Sequence, residues 1–289
     1  MTQAAPGGID DLAYVDPVRR ARLRRRSRRD VFVGMASLVV FVVVVTALVT
    51  RTPGWPVVQE TFFNGPEFAS TFPGLLKAFL LNVRIFITAE PLILILGLLV
   101  ALARTLRAPV LLPIRVIATV YTDVFRGIPT ILVIFLLGFG VPALRLQGVP
   151  NSAVFWGTAA LVLSYGAYVA EVFRAGIASV HPSQRMAARS LGLSVWQTNR
   201  FVVLPQAVRT VIPPLLNDFI SLQKDTALVA VLGPIEVLRQ AQIDASSNFN
   251  YTPYVGAALI FIALTIPMTR FADWLTSRSQ RRRRAGGVA

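Results

Sequence analysis

The chemistry open to this chain is bounded first by what its 289 residues lack. There is no cysteine and one histidine, His181. Disulfides, thiolate nucleophiles, cysteine zinc sites and multi-histidine metal sites are therefore excluded. No G-x-x-x-x-G-K-[ST] run is present to cradle a phosphate, and neither G-x-S-x-G nor H-E-x-x-H occurs. What remains are ionisable side chains set among apolar ones: Arg84 and Glu90, Asp123 and Arg126, and Asp218, Lys224 and Asp225. An ionised group at membrane depth costs roughly 2.5–3.5 kcal/mol on insertion scales, so each needs a partner or a task. For each, mutual pairing or a place at the interface is the preferred reading. Asp123 and Arg126 read as interface anchors. Glu171 and Arg174, three apart, read as a local pair on one helix face. His181 reads as a polar residue at the head of a loop.

A second group of residues carries recognition chemistry. It runs Ser183-Gln184-Arg185-Met186-Ala187-Ala188-Arg189-Ser190-Leu191-Gly192-Leu193-Ser194-Val195-Trp196-Gln197 and on to Leu204-Pro205. Pro182 suits a first helical turn. Ala187 and Ala188 are strong helix formers of little bulk. Gly192 ends that helix. Ser194 with Gln197 has the S-x-x-Q spacing of a capping box and opens a second helix. Pro205 kinks or breaks the chain beyond it. The product is helix–turn–helix with a small-residue surface that a partner can approach closely, and a short helix lying in a partner's groove is a standard recognition mode.

These segments must be held by elements that cross a bilayer. The chain is 54% hydrophobic and only 15% charged, with Lys+Arg 29 against Asp+Glu 14. That apolar content exceeds the range of soluble domains. Apolar stretches fall at about 31–50, 75–103, 116–142, 153–177, 211–232 and 254–275. The second is interrupted by Arg84 and Glu90-Pro91, and the fifth is broken by Pro213, Pro214, Asp218, Lys224 and Asp225. Pro129 interrupts the third. Broken helices expose backbone dipoles to a solute, and the fifth stretch is the favoured pathway element. The stretch at 31–50 is too long for a signal-peptide core and reads as a retained span. Residues 1–30 are basic and read as disordered or lying on the lipid surface. Residues 51–74 read as an external loop with an interfacial Trp55. With six crossings and the N-terminus inside, the inner segments 1–30, 104–115, 178–210 and 276–289 are all rich in arginine, and the outer ones are not. Both termini are then cytoplasmic. The terminal arginine runs read as inside anchors on the bilayer, with no nucleic-acid role.

The helix–turn–helix segment resembles the coupling loop of ABC importer permeases, whose pattern is E-A-A, three residues, G, nine residues, I, one residue, L-P. Here Ala187, Ala188, Gly192, Val202, Leu204 and Pro205 stand at those places, and Met186 replaces the Glu. Further segments resemble the polar amino-acid branch: Phe125-Arg126-Gly127-Ile128-Pro129, Ala167-Tyr168 with Ala170-Glu171-Val172-Phe173-Arg174, Leu204-Pro205-Gln206-Ala207, and Asn217 to Leu228. The resemblance covers about residues 77–275. It implies an all-α, multi-pass fold: a five-helix permease core at 75–275, with the coupling loop at about 180–208, preceded by an extra helix at 31–50. It implies a transport subunit of a bacterial cytoplasmic-membrane importer for polar amino acids, of the glutamate or glutamine type or related. It binds no cofactor itself, since ATP and Mg belong to a cytoplasmic ABC ATPase dimer. The other implied partners are a second permease chain and an extracytoplasmic amino-acid-binding protein. Met186 tilts the permease pair towards a heterodimer, a homodimer being the alternative. The coupling residues are Met186, Ala187, Ala188, Gly192, Leu204 and Pro205. A zwitterionic amino acid needs one cationic and one anionic contact, which Arg84 with Glu90, or Lys224 with Asp225, could supply along a pathway that includes Asp218. The competing reading is an ion- or proton-coupled carrier, which would need inverted repeats that the sequence does not display. An integral-membrane enzyme is a weaker alternative, for want of a nucleophile motif.

Overall fold

The computed structural model describes residues 17–106 and 108–285, with side-chain surroundings for 31–106 and 108–278. Expectations for residues 1–16, Arg107 and 286–289 lie outside the described residues. The described residues form helices joined by short turns, with no strand among them, and fall into two units, one ending at Gln59 and one beginning at Glu60. The first unit holds α1 (Pro17–Thr50), a single helix in which the basic residues from Pro17 run straight into the apolar stretch. Of the two readings of the basic leader, disordered or lying on the lipid surface, the helix replaces the disordered one from residue 17 on. Intrahelical hydrogen bonds satisfy the backbone whether the side chains are arginine or valine.

The expected loop at 51–74 is also replaced by helix. A short α2 (Trp55–Phe62) precedes α3 (Gly65–Thr105), which Asn64 caps by accepting from Glu67 N at 3.0 Å. Pro66 in the first turn costs no hydrogen bond there. Pro91 does not interrupt α3, which continues through it for 41 residues. The real break is at Pro129. Helix α4 (Leu112–Gly127) and α5 (Thr130–Ala143) meet at 107°, so the expected third helix is two. The physical cause is local: proline drives its predecessor out of the helical region, and Ile128 sits extended at φ −100°, ψ 131°.

Helix α6 (Ala153–Ala178) is the centre of the second unit, packing against α3, α4, α5 and α9. Lipid offers no hydrophobic drive for helix association, so close backbone approach through small residues has to supply it. A Cβ at Gly97 of α3 would collide with Val169 of α6, and one at Gly157 with Val229. Around these contacts sit Ile85, Ala89, Ile93, Ile134, Leu161 and Leu222, all buried. After α6 come α7 (Pro182–Ser190) and α8 (Val195–Thr198), then a π-helical turn, Asn199–Val203, leading into α9 (Leu204–Asp225). Pro205 therefore does not stop the chain. It occupies the first turn of α9, and the wider turn before it accommodates the missing N–H. Pro213 and Pro214 lie inside α9 without breaking it, and the change of geometry comes at Thr226, where a 3₁₀ stretch runs to Leu232. Then come α10 (Val237–Asn248) and α11 (Thr252–Ala285).

Among the described residues four helices are long and apolar enough to cross a membrane, or five if α4 and α5 make one bent span. Helix α9, which overlaps the expected fifth crossing, is not among them, because Asn217, Asp218, Gln223, Lys224 and Asp225 lower its apolarity.

Candidate functional site

Three polar arrangements interrupt this apolar body. The first is the knuckle formed by α7 and α8. His181, expected only as a polar loop residue, caps α7: its Nδ1 accepts from Ser183 N at 3.2 Å. Gly192 then stands at φ +83° with open space around it, so it is glycine for backbone reasons alone. Gly192 N donates to Arg189 O and Leu193 N to Ala188 O, closing the helix end at an αL glycine. Across the turn the expected capping box is present. Gln197 N donates to Ser194 Oγ at 3.2 Å, and Ser194 N to Gln197 Oε1 at 2.8 Å.

The knuckle is fastened to the bundle on one side only. Arg185 Nη2 donates to Ile177 O at 2.9 Å, and Val180, Val203 and Ala207 form a small core beneath it. Ala188 is buried, so that alanine packs inward, whereas Ala187, Gly192, Leu204 and Pro205 are exposed. The outer surface carries Met186, Leu191, Val195, Trp196, Phe201 and Leu204, with Leu191 83% exposed. The knuckle thus presents an exposed apolar patch on a well-capped turn. The aromatic part was the piece that spacing alone did not single out, although Trp196 and Phe201 were visible as bulky residues in a polar loop.

The second arrangement is acidic and lies between α3, α6 and α9. Tyr165 Oη donates to Asp225 Oδ2 at 2.8 Å. Asp218, about two helical turns before Asp225, is near enough to interact electrostatically with Glu90 and with Tyr165. Its Oδ2 is buried without a partner among the described residues. A cleft of about 460 Å³ opens beside it, lined by Arg126, Tyr168, Glu171, Thr210, Pro214 and Asp218. The structure thus brings together Glu90, Asp218 and Asp225, three of the expected pathway residues. It does not pair Arg84 with Glu90 or Lys224 with Asp225. Six residues of helix turn Arg84 about 120° away from Glu90, and both Arg84 and Lys224 are exposed. The cation that lines the cleft with Asp218 is Arg126, expected as an interface anchor. It stacks over the Tyr168 ring with 5.9 Å to the centroid and reaches Glu171 at 3.9 Å. Glu171 also pairs with Arg174, as expected from their spacing, and with Arg104 of α3 at 2.9 Å. The pairing between α3 and α6 was not legible in the sequence, because 67 residues separate its members.

The third arrangement was missed altogether. Asn82 is buried on α3 and donates to Thr226 Oγ1 at 3.1 Å and to Glu236 Oε2 at 2.9 Å, while accepting from Val237 N at 3.1 Å. Glu236 is buried as well and caps α10, Oε1 accepting from Arg239 N at 2.7 Å. It lies in the connection after Gly233, outside the spanning helices. Burial pushes its carboxyl above the usual range, opposed by the Asn82 amide and the N–H groups of Leu238 and Arg239. The network welds α3 to the start of α10. A lone Asn in an apolar helix was the signal available for it.

Comparison with known proteins agrees with this geometry. Residues 96–281 match the family described as binding-protein-dependent transport system inner membrane component. The chain is 36% identical over 198 residues to the probable amino-acid permease protein YxeN of Bacillus subtilis, covering 68% of this chain and 87% of that one. It is 36% identical over 190 residues to the probable glutamine ABC transporter permease protein GlnM of the same organism, covering 65% and 84%. It is also similar to a chain in the crystal structure of an amino acid ABC transporter with histidines, with a TM-score of 0.67, 31% identity, and coverage of 73% of this chain and 96% of the other.

Proposed function

This chain belongs to the family of binding-protein-dependent transport system inner membrane components and is a multi-pass permease subunit of an amino-acid ABC importer, and we propose that the α7–α8 knuckle is the part through which a separate ATPase drives it. The observation that carries this reading is the exposed apolar surface of Met186, Leu191, Trp196 and Phe201 on a turn held rigid by Gly192 and the Ser194 capping box. A rigid knuckle transmits force, because it moves with α6 and α9 and does not bend under load. Seated in a cleft of an ATPase dimer that binds ATP and Mg, two such knuckles would move two permease chains between inward and outward states. An ion- or proton-coupled carrier is not favoured, since the family works with separate components.

The acidic groups on α3 and α9 support a path for a solute bearing an ammonium group. Asp218 offers an unpartnered oxygen beside the cleft, and Glu90 and Asp225 add negative charge behind it. Arg126 at the same cleft suits the carboxylate of an amino acid. Arg84 and Lys224 face out of this chain, where a second permease chain would share the passage. Met186, where the coupling pattern has an acid, favours a second chain of different sequence. With the knuckle inside and α9 completing a sixth crossing within the bundle, both termini are cytoplasmic, and delivery by an extracytoplasmic amino-acid-binding protein completes the assembly.

The test is reconstitution with the partner ATPase and a loaded binding protein in vesicles. Gly192→Arg and Ala187→Asp are each expected to abolish copurification of the ATPase and ATP-driven uptake. Undiminished complex and uptake in both would remove the proposal.

A further inference from the structure

A second groove lies on the other side of Glu171 from the cleft, and it carries a surplus of positive charge. It encloses about 440 Å³ between Arg104 at the end of α3, Arg115 in the first turn of α4 and Arg174 near the end of α6. Leu112, Val116 and Val120 line it as well, and these three recur every fourth residue along one ridge of α4. Among the described residues the acid that meets these cations is Glu171, shared by Arg104, Arg174 and Arg126. Glu171 is already divided among three arginines, and no acid pairs with Arg115 among the described residues, so the groove keeps a surplus of positive charge where α3 and α6 end.

The donors are not exhausted by the contacts present. Arg104 is bound to Glu171 through Nη1, and Arg174 through Nε and Nη2. Arg115 donates from Nη1 to Leu106 O at 3.3 Å, which fixes its guanidinium at the groove's edge. Each guanidinium has five N–H donors, so each retains donors for a further anion. Thr119 donates to Arg115 O, so its hydroxyl proton is not available to a ligand. The anion site is therefore built of arginine, and its floor is aliphatic.

We propose that this groove binds the phosphate headgroup of an anionic phospholipid, with the acyl chains against Leu112, Val116 and Val120. Three features select a lipid over a free anion: the groove lies where spanning helices end, it joins fixed positive charge to an apolar floor, and it continues into an exposed apolar surface made by Val110, in the turn before α4, and Ile117 of α4. Basic pockets between the ends of spanning helices on the positively charged side have the charge and depth of a lipid headgroup. Arginine suits the role because its planar fork meets two phosphate oxygens at once. Because α4 leads into the bend at Pro129 and Arg174 shares Glu171 with the substrate-side Arg126, the bound headgroup would also steady the element beside the transport cleft. The inference goes beyond the transport reading and does not depend on it.

The experiment is native mass spectrometry of the detergent-purified full chain titrated with dioleoylphosphatidylglycerol, with dioleoylphosphatidylcholine and inorganic phosphate as separate arms. Phosphatidylglycerol is expected to bind at least tenfold more tightly than phosphatidylcholine, and phosphate at the same concentration is expected not to displace it. Arg115→Gln should weaken phosphatidylglycerol binding about fivefold to tenfold, Arg115→Lys less, and Arg145→Gln, on the turn between α5 and α6, not at all. Val116→Trp fills the groove while keeping every arginine, and it should weaken binding even if Arg115→Gln proves unstable. Equal affinity for the two lipids, displacement by phosphate alone, or unchanged binding in both Arg115→Gln and Val116→Trp would overturn the proposal. So would a loss of pairing with a second permease chain while lipid binding is untouched, which would assign the groove to a protein interface.

Discussion

At the scale of single residues, the same residue types serve different ends according to what surrounds them. Gly192 is required by its left-handed φ and not by crowding. Gly192→Ala is therefore expected to strain the turn by about 1–2 kcal/mol. Titration of the ATPase against the reconstituted permease should show its affinity lowered several-fold, with the helices intact by circular dichroism. Glu171 is the reverse case, held entirely by its partners. Glu171→Gln leaves Arg104, Arg126 and Arg174 facing one another, and the thermal midpoint in detergent should fall, corresponding to a loss of about 1 kcal/mol, since Arg126 and Arg174 are part-exposed and screened. Asp225 is bound by a phenol, a bond to a charged group worth about 1.5–3 kcal/mol. Asp225→Asn is expected to slow uptake about tenfold or more while the complex with the ATPase still forms. Uptake assays beside copurification separate that outcome from misfolding.

At the scale of elements, helix contacts are set by small residues and by buried polar links. Gly97 lets α3 lie against α6 at Val169. Gly97→Val adds bulk at that contact and should lower stability by about 1–3 kcal/mol, seen as early unfolding and poor recovery of monodisperse protein. Asn82 links α3 to α10 through Glu236. Asn82→Leu removes the amide that favours the charged carboxylate, so the Glu236 carboxyl moves further above its usual range. A raised carboxyl contributes stability that is present below the ordinary carboxylate range and lost as pH rises. The destabilisation by Asn82→Leu should accordingly be small in acid and widen as pH rises, in melting curves recorded across the carboxylate range and above it. A pH-independent difference would show that the carboxylate charge is not what Asn82 serves.

At the scale of the molecule, the polar groups are confined to places where the apolar body can tolerate them. The acidic groups on α3 and α9 face α6, and the knuckle hangs from α6 and α9 by Arg185 and a small core. One helix, α9, therefore carries Asp218 and Asp225 inside the bundle and emerges directly from the π-helical turn that ends the knuckle. A displacement of the knuckle along α9 would reach the acidic groups without a flexible joint between them. Its proline pair removes two backbone donors yet leaves the helix continuous. Proline at 213 and 214 should thus matter for the bending of α9 more than for its existence. Replacing both by alanine is expected to preserve copurification with the ATPase and alter the rate of substrate-stimulated ATP hydrolysis.

Most of the apolar spans and the turn of the knuckle were readable from the residues alone, because each rests on short-range physics, whereas the family was read from the resemblance of its motifs. Hydrophobic runs of membrane length, the Gly192 turn and the Ser194–Gln197 capping box depend on neighbours within a few positions. Proline positions were visible, but their consequences were not. Pro91, Pro213 and Pro214 continue their helices while Pro129 ends one, a choice made by the packing on either side. Likewise the charges at 84, 90, 218, 224 and 225 could be seen as costly, yet only the fold shows Glu90, Asp218 and Asp225 sharing a face while Arg84 and Lys224 turn outward. The links from Asn82 to Glu236 and from Arg104 to Glu171 span 154 and 67 residues. No local rule brings such groups together. They meet because small residues let α3 close on α6, and the desolvated charges and amides then have to find partners where that closure leaves them.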